Sequence, residues 1–260
     1  MKKKLLAIIG TLILFAIFFT PSVFALGFGA HAEYWIPTFK GDLRVDKDGT
    51  VGTEIDIEND LGVSNENFPG VEAFSSMGNH EIRLSYSFVS LSGATNIGKT
   101  IVFDGDTYNV NAYVESDLKT SMFDLEYQYK FLNLENILAG FSLGLIGKVK
   151  YFDGGVRMRS TTPGSAYDNQ EDFHVPIPMI GLGVNVGILA DILEARAKIT
   201  GMGYSGSFFY DAMVDISLSP VPFLNIHGGY RAMSLKIDDV SDIYAKMDFY
   251  GPYAGLAISF

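Results

Sequence analysis

The chain has 260 residues, with 28 Gly, 20 Phe, 14 Tyr and no Cys. The absence of Cys excludes disulfides and thiolate metal sites, and so much Gly and aromatic residue without long helical patterns favours an all-β protein. The 30 Asp and Glu outnumber the 19 Lys and Arg, so the chain is a poor candidate for binding nucleic acid.

The first 25 residues have the organisation of a secretory signal peptide. A basic start, Lys2–Lys4, precedes an apolar run from Leu5 to Phe19, and Val23 and Ala25 occupy the small-residue positions before a cleavage site. We expect cleavage after residue 25, leaving residues 26–260 as one domain; a retained membrane anchor is the alternative. Losing three Lys would leave 16 basic and 30 acidic side chains, a net charge of −14.

Period-two alternation recurs along the rest of the chain and is clearest in FDLEYQYKF, residues 123–131. Its odd positions are apolar or aromatic, and its even positions are Asp, Glu, Gln and Lys. Successive side chains of a strand point to opposite faces, so this pattern predicts an extended strand with one apolar and one polar face. Similar segments predict strands near 26–36, 68–76, 80–91, 112–130, 138–157, 173–188, 192–205, 208–218, 223–236 and 246–260.

The two faces of these strands indicate what each one contacts. The polar face of residues 180–188 is nearly all Gly, which fits a crowded concave interior better than a solvated sheet. The apolar faces run for about nine to eleven residues, the length with which a tilted strand crosses a bilayer. We therefore predict a transmembrane up-and-down antiparallel β-barrel of ten strands, within a range of eight to twelve, whose apolar face contacts lipid.

The lengths of the connections support this topology. Short and long connections alternate, which places both termini at the short-turn end of the barrel. Losing the weakly alternating segment 68–76 and one other would leave eight strands, and pairing of TEIDI at 53–57 would give twelve. The predicted short turns lie at 77–79, 131–136, 190–191 and 219–222, and the predicted long links at 38–67, 92–111, 160–172 and 237–245.

The last residues, YGPYAGLAISF, carry a specific resemblance. Tyr250, Leu256, Ile258 and the terminal Phe260 lie on one face, a pattern that resembles the C-terminal signal of bacterial outer-membrane barrels. The organisation of residues 26–260 is similar to the small OmpA/OmpX/OmpW-like superfamily. The resemblance implies recognition by the barrel-assembly machinery, a last strand that closes on the first, and residence in the outer membrane of a Gram-negative envelope among lipid and lipopolysaccharide.

The polar face of the predicted strands is charged but mixed in sign. Buried charges need partners, and side chains can largely fill barrels of eight to ten strands, so we expect these residues to pair and to fill the lumen; an ion-lined, porin-like pore is the alternative. The predicted lumen-lining residues are Glu81, Arg83, Glu126, Lys130, Lys148, Lys150, Glu194, Arg196, Lys198, His227 and Arg231.

No segment predicts a metal or cofactor site. VDKDGTVG at 45–52 and FDGDTY at 103–108 place carboxylates beside Gly, but they lack the full set of calcium ligands and are typical of tight turns. The acidic segment 53–62 is either a cation-holding lip or a solvated strand extension.

No catalytic residue is assigned. Asp172 and His174 resemble the Asp-x-His half of the omptin protease site, whose other half would need Asp46 with Asp48, or Asp56. We predict a non-enzymatic outer-membrane barrel that acts through its loops, lipid contacts or limited passage of small solutes. The alternatives are an OmpW-like conduit for small apolar molecules and an outer-membrane hydrolase. A soluble lipocalin-like binder would need an apolar interior, which the polar faces of the predicted strands exclude.

Overall fold

The computed structural model describes residues 26–64, 66–134, 140–189, 192–240 and 243–260. The predicted signal peptide and the predicted turn at 190–191 lie outside the described residues, as does part of the predicted turn at 131–136. Within these ranges no helix is long and apolar enough to cross a membrane.

The described chain is built from fourteen strands. They are β1 (Leu26–Trp35), β2 (Thr38–Val45), β3 (Ile55–Asp56), β4 (Phe68–Met77), β5 (His80–Asn96), β6 (Ile101–Phe103), β7 (Asp106–Tyr108), β8 (Tyr113–Leu134), β9 (Phe141–Ser160), β10 (Asp168–Leu189), β11 (Leu193–Tyr204), β12 (Ser207–Val221), β13 (Leu224–Val240) and β14 (Ile243–Ser259).

Ten of these strands form a closed antiparallel barrel, which confirms the predicted fold class. The order around the wall is β1-β4-β5-β8-β9-β10-β11-β12-β13-β14. The wall closes where β14 pairs with β1, in a register that sets Gly29 opposite Ser259 and Trp35 opposite Tyr253. Beyond Trp35, β2 continues along β14 and carries β3 on its other edge, while β6 and β7 form a separate hairpin.

The alternation in the sequence orients the side chains as predicted. Outward positions are apolar and exposed, as at Leu125 with 52% of its surface accessible, Leu182 and Ile226, whereas the inward Glu126 is 6% accessible. The outward apolar surface forms a continuous band around the barrel. A soluble domain would not leave so many large apolar side chains exposed together, but this is the surface that a barrel presents to lipid.

Several strands continue well beyond the bilayer length at the end opposite the termini, which we call the loop end. β8, β9 and β10 have 22, 20 and 22 residues. The predicted long link at 237–245 is wrong, because β13 continues to Val240 and β14 begins at Ile243. TEIDI contributes only the two residues of β3, which lie outside the closed ring of strands.

We expect Arg at the outward face of β10 to destabilise the barrel according to depth. Val184 lies midway between Ile180 and Ile188 on that face, so Val184→Arg should cost about 2–4 kcal/mol, and Ile188→Arg, near the turn end, about 0–1 kcal/mol. Free energies of unfolding, measured by urea titration in lipid vesicles, test this. Equal costs at the two positions would contradict a lipid-facing β10.

Candidate functional site in the barrel interior

The interior consists of two layers with opposite character. The half nearest the termini, which we call the charged layer, holds a network of acidic, basic and histidine side chains. The half nearest the loop end, which we call the apolar layer, is packed with aromatic, aliphatic and methionine side chains. The charged layer comprises Glu72, Glu81, Arg83, Asp124, Glu126, Lys148, Lys150, Arg196, Lys198, Asp211, Asp215, His227 and Arg231.

Asp211 on β12 is the centre of the charged layer. Arg231 on the neighbouring β13 donates to both of its carboxylate oxygens, from Nε at 2.9 Å and from Nη2 at 2.7 Å. Lys148 and Lys150 reach Asp211 Oδ2 at 3.2 and 3.5 Å, and both also contact Asp124 Oδ2, at 2.9 and 2.7 Å. Strands on both sides of the lumen are thereby tied together through one carboxylate.

Arg83 and Glu126 are ladder neighbours that bind other partners. Arg83 stands opposite Glu126 in the β5–β8 register, but its guanidinium donates to Glu72 and Glu81. Glu126 instead accepts a 2.6 Å hydrogen bond from Lys198 on β11. Lys198 reaches Glu126 across the lumen, whereas Arg83 binds within its own strand and to the adjacent β4, so the ladder register alone does not determine these partners.

A further bidentate pair lies on β11 and β12. Arg196 donates from Nε and Nη2 to the two oxygens of Asp215, at 2.9 and 2.7 Å. Tyr253 donates to the same carboxylate at 3.0 Å, and His227 Nδ1 lies 3.5 Å from it. His31 on β1 faces His227 with ring centroids 5.0 Å apart.

The structure places the other predicted lumen residues at the turn end. Lys130 and Glu194 lie near the ends of β8 and β11 and are more accessible than the central network. Four central acids were not among the predicted lumen residues. Asp211 and Asp215 are four residues apart and therefore on one face of a strand, a signal that the sequence does contain. The omitted acids are Glu72, Asp124, Asp211 and Asp215.

Little space remains among these side chains. The cavity bordered by His31, Arg83, Asp211 and their neighbours has a volume of about 60 Å³, enough for a few water molecules. The charged side chains therefore leave no wide channel through the part of the lumen that they line.

The apolar layer corrects the expectation that the interior is polar throughout. Trp35, Phe39, Phe68 and Phe249 form one aromatic cluster, with the Phe39 and Phe249 centroids 4.8 Å apart. These residues are inward-facing and almost fully buried. Methionines occupy much of the remaining interior at this level, namely Met122, Met158, Met179, Met202, Met233 and Met247.

Two inter-strand segments cover the apolar layer at the loop end. The segment 51–64 and the β6–β7 hairpin are joined by a hydrogen bond from Thr53 N to Val102 O at 2.9 Å. The Tyr108 hydroxyl donates to Asn169 Oδ1 at 2.6 Å and lies 3.0 Å from Met158 O, and its burial raises the pKa of this hydroxyl. We call these two segments the cap.

The motifs that suggested cations are two turns, one just before segment 51–64 and one in the β6–β7 hairpin. Asp48 and Gly49, like Asp104 and Gly105, have the positive φ angles of tight turns. The Asp104 carboxylate binds Lys47 at 2.7 Å, which raises the pKa of the Lys47 ammonium. No group of three or more His, Asp or Glu with metal-binding geometry occurs in the described part of the chain.

Asp172 and His174 do not meet the other residues of the hydrolase hypothesis. Both lie on the outward face of β10, where His174 Nδ1 is 3.0 Å from Asp153 Oδ1 and the Asp172 carboxylate accepts from Gln170 at 3.1 Å. Asp46 accepts from Gly52 N at 2.7 Å, inside its own turn. The omptin-like set is therefore not assembled around one point.

No protein-family model and no curated protein sequence matches this chain. Among solved structures, the outer membrane protease OmpT from Escherichia coli has a TM-score of 0.51 at 11% identity, over 90% of this chain and 97% of OmpT. The translocator domain of the autotransporter NalP from Neisseria meningitidis has a TM-score of 0.44 at 8% identity, over 99% and 96%. The likeness to OmpT confirms the predicted resemblance at the level of the fold.

We expect Asp211→Asn to cost about 3–5 kcal/mol of unfolding free energy, because it leaves three buried cations without their shared partner. Asp153→Asn, which breaks the exposed pair with His174, should cost about 0–1 kcal/mol. Urea titration of both variants in vesicles measures the difference. An Asp211→Asn variant as stable as Asp153→Asn would show that the charged layer does not hold the strands together.

Proposed function

We propose that the protein is an integral outer-membrane β-barrel with a closed interior, which acts through its capped loop end and its lipid contacts and not as an open pore. The observation that carries this proposal is the stacking of two filled layers in one lumen. The charged layer restricts the water path with paired side chains, and the apolar layer above it gives ions no polar partners.

Aromatic side chains at both ends of the outward apolar band support membrane insertion. Phe260 stacks on Phe28 and on Phe223, each with centroids 5.4 Å apart, at the turn end. Tyr86 and Phe123, 4.8 Å apart, lie further toward the loop end. Aromatic girdles of this kind flank the apolar band of outer-membrane barrels.

The partners follow from the same surfaces. Outer-membrane lipid and lipopolysaccharide would cover the apolar band. The barrel-assembly machinery would recognise the last strand, where Leu256, Ile258 and Phe260 are exposed on one face and the same strand closes the wall against β1.

The loop end offers a surface distinct from the lumen. The extended parts of β8, β9 and β10 expose charged pairs, among them Arg157 with Asp168, whose hydrogen bonds are 2.7 and 2.5 Å long. Since these strands are paired with one another along their extensions, the surface is preformed. Contact with other molecules outside the cell is the role that such a surface supports.

A conduit for small apolar molecules is the second candidate. The apolar layer favours it, because an apolar solute would be compatible with the same side chains that exclude ions. A lumenal route from end to end would still have to cross the charged layer, so passage of this kind would require a different exit or entrance.

Planar-bilayer recording of the refolded chain from residue 26 onward tests the closed interior. We expect silence or rare small openings, because both layers obstruct the path. The double variant Asp211→Ser with Arg231→Ser should enlarge only the cavity in the charged layer. It should also lack steady conductance, since the apolar layer still obstructs the path.

Large, steady conductance of the unaltered protein that rises in proportion to salt would contradict the closed interior and favour a porin. Steady conductance of the double variant alone would show that the charged layer is the sole barrier. Heat-dependent migration on gels provides the control that each preparation is folded.

A further inference from the structure

The barrel wall is interrupted between β10 and β11 at the loop end. Pairing of these strands ends at Ile180 opposite Gly201, although β10 begins at Asp168 and β11 continues to Tyr204. From Asp168 to Met179, β10 pairs in the described structure only with β9. We call this interruption, between residues 168–179 of β10 and 202–204 of β11, the notch.

The local sequence favours an open edge at the notch. Pro176 and Pro178 lie in β10 just beyond the last pair with β11, and the ladder to β9 passes through both without a register break. Proline lacks an N–H and is tolerated in a strand where its nitrogen faces an unpaired side. On the β11 side of the notch there is open space beside Gly203. Only Ser207 O lies within 4 Å of the position that a Cβ at Gly203 would occupy.

A second interruption of the wall lies between β4 and β5, and unlike the notch it is covered by another segment of the chain. β5 extends past its pairing with β4, which ends at Ser87. There the segment 51–64 closes the space, with Val63 bridged to Gly93 and Leu61 O 2.4 Å from the position of a Cβ at Gly93. No segment of the described chain is paired to β10 in the same way at the notch.

The interior behind the notch belongs to the apolar layer. Met179 on β10 and Met202 on β11 point inward from the two sides of the notch. Phe152 contacts Phe209 in the interior beside them, with ring centroids 5.7 Å apart. Methionine side chains are flexible and polarizable, so they can rearrange around different apolar shapes. The nearest members of the charged layer, Lys148 and Lys150, stand opposite Met179 and Ile177 in the β9–β10 ladder, but their ammonium groups are buried in ion pairs with carboxylates of that layer.

The notch opens at the border of the lipid-facing band. Ile180, at its lower end, is 76% accessible, and six residues earlier in β10 the outward surface is already polar, where His174 binds Asp153. Below the notch, an apolar groove of about 490 Å³ on the outer wall is bordered by Val184, Ala197 and Ile216. Apolar surface therefore continues from the outer wall to the edge of the notch.

We propose that the notch is a lateral entrance through which a single hydrocarbon chain passes from the membrane into the methionine-lined part of the apolar layer. The site takes its chain by apolar contact with Met179, Met202, Phe152 and Phe209. The inference depends on the proposed membrane location, and it gives the apolar-conduit candidate a route that avoids the charged layer.

Bromine-labelled hydrocarbon chains test the entrance, because bromine quenches an indole on contact. The chain has a single Trp, Trp35, which lies in the apolar layer on β1, away from the notch. The probe variant combines Trp35→Phe with Met202→Trp, which moves the indole to the inner side of the notch. Unaltered protein, with its indole at position 35, is the control for quenching through the wall.

We expect chain-brominated phospholipid vesicles, or brominated fatty acid added to unlabelled vesicles, to quench the indole at position 202 but not Trp35. Quenching by the brominated phospholipid would show that an acyl chain of a membrane lipid enters the notch. Quenching by the brominated fatty acid would show that the chain of a free fatty acid enters it. Gly203→Phe should abolish the quenching, because a Phe on the outward face of β11 would cover the outer side of the notch. Gly147→Phe is the matched control, since Gly147 is also exposed on a strand with open space beside it and lies on β9 below the notch.

Absence of quenching at position 202 in both arms would overturn the entrance, as would quenching that Gly203→Phe leaves unchanged. Met179→Trp in the Trp35→Phe background repeats the measurement from the β10 side of the notch if the first probe does not fold. Co-flotation with vesicles separates the two proposals: a protein that does not float contradicts the membrane location and the entrance together, whereas flotation without quenching contradicts the entrance alone.

Discussion

Closure of the wall by the pairing of β14 with β1 is the constraint on which the rest of the structure depends. Backbone groups in hydrocarbon have no water to bind, and each one left unpaired costs several kcal/mol. The register from Gly29 opposite Ser259 to Trp35 opposite Tyr253 satisfies the two strands that would otherwise be edges. A closed ring of ten strands then fixes how much interior volume the side chains have to fill.

That fixed interior explains why the cations of the charged layer are paired with carboxylates. Three cations contact the Asp211 carboxylate. Arg83 and Arg196, like Arg231, each donate to at least one carboxylate. An unpartnered charge in this confined space would be costly, so side chains of both signs are needed on strands that face each other. The apolar layer avoids that cost, and it joins the barrel to the cap as one hydrophobic core.

The strands and their facing could be predicted from sequence because alternation with a period of two is a local property. It gave the ten strands, including the weakly alternating β4, and the exposed face of Leu125. The partners of Arg83 could not be predicted, because it binds Glu81 on its own strand and Glu72 on β4 and not its ladder neighbour Glu126. The apolar layer could not be predicted because the inward face of a strand was judged from its polar residues. Met122 and Met179 occupy inward positions on the same strands, nearer the loop end.

The need to pair backbone groups, which closes the wall, also accounts for the residues found at the notch. An unpaired strand edge is tolerated poorly in hydrocarbon, and the pairing of β10 with β11 ends near the border of the apolar band, where His174 and Asp153 already mark polar surroundings. Pro176 and Pro178 remove two N–H donors from this part of β10. The cost of the open edge would thereby be reduced at the level where the proposed membrane adjoins it, and the edge nearer the loop end can bind water.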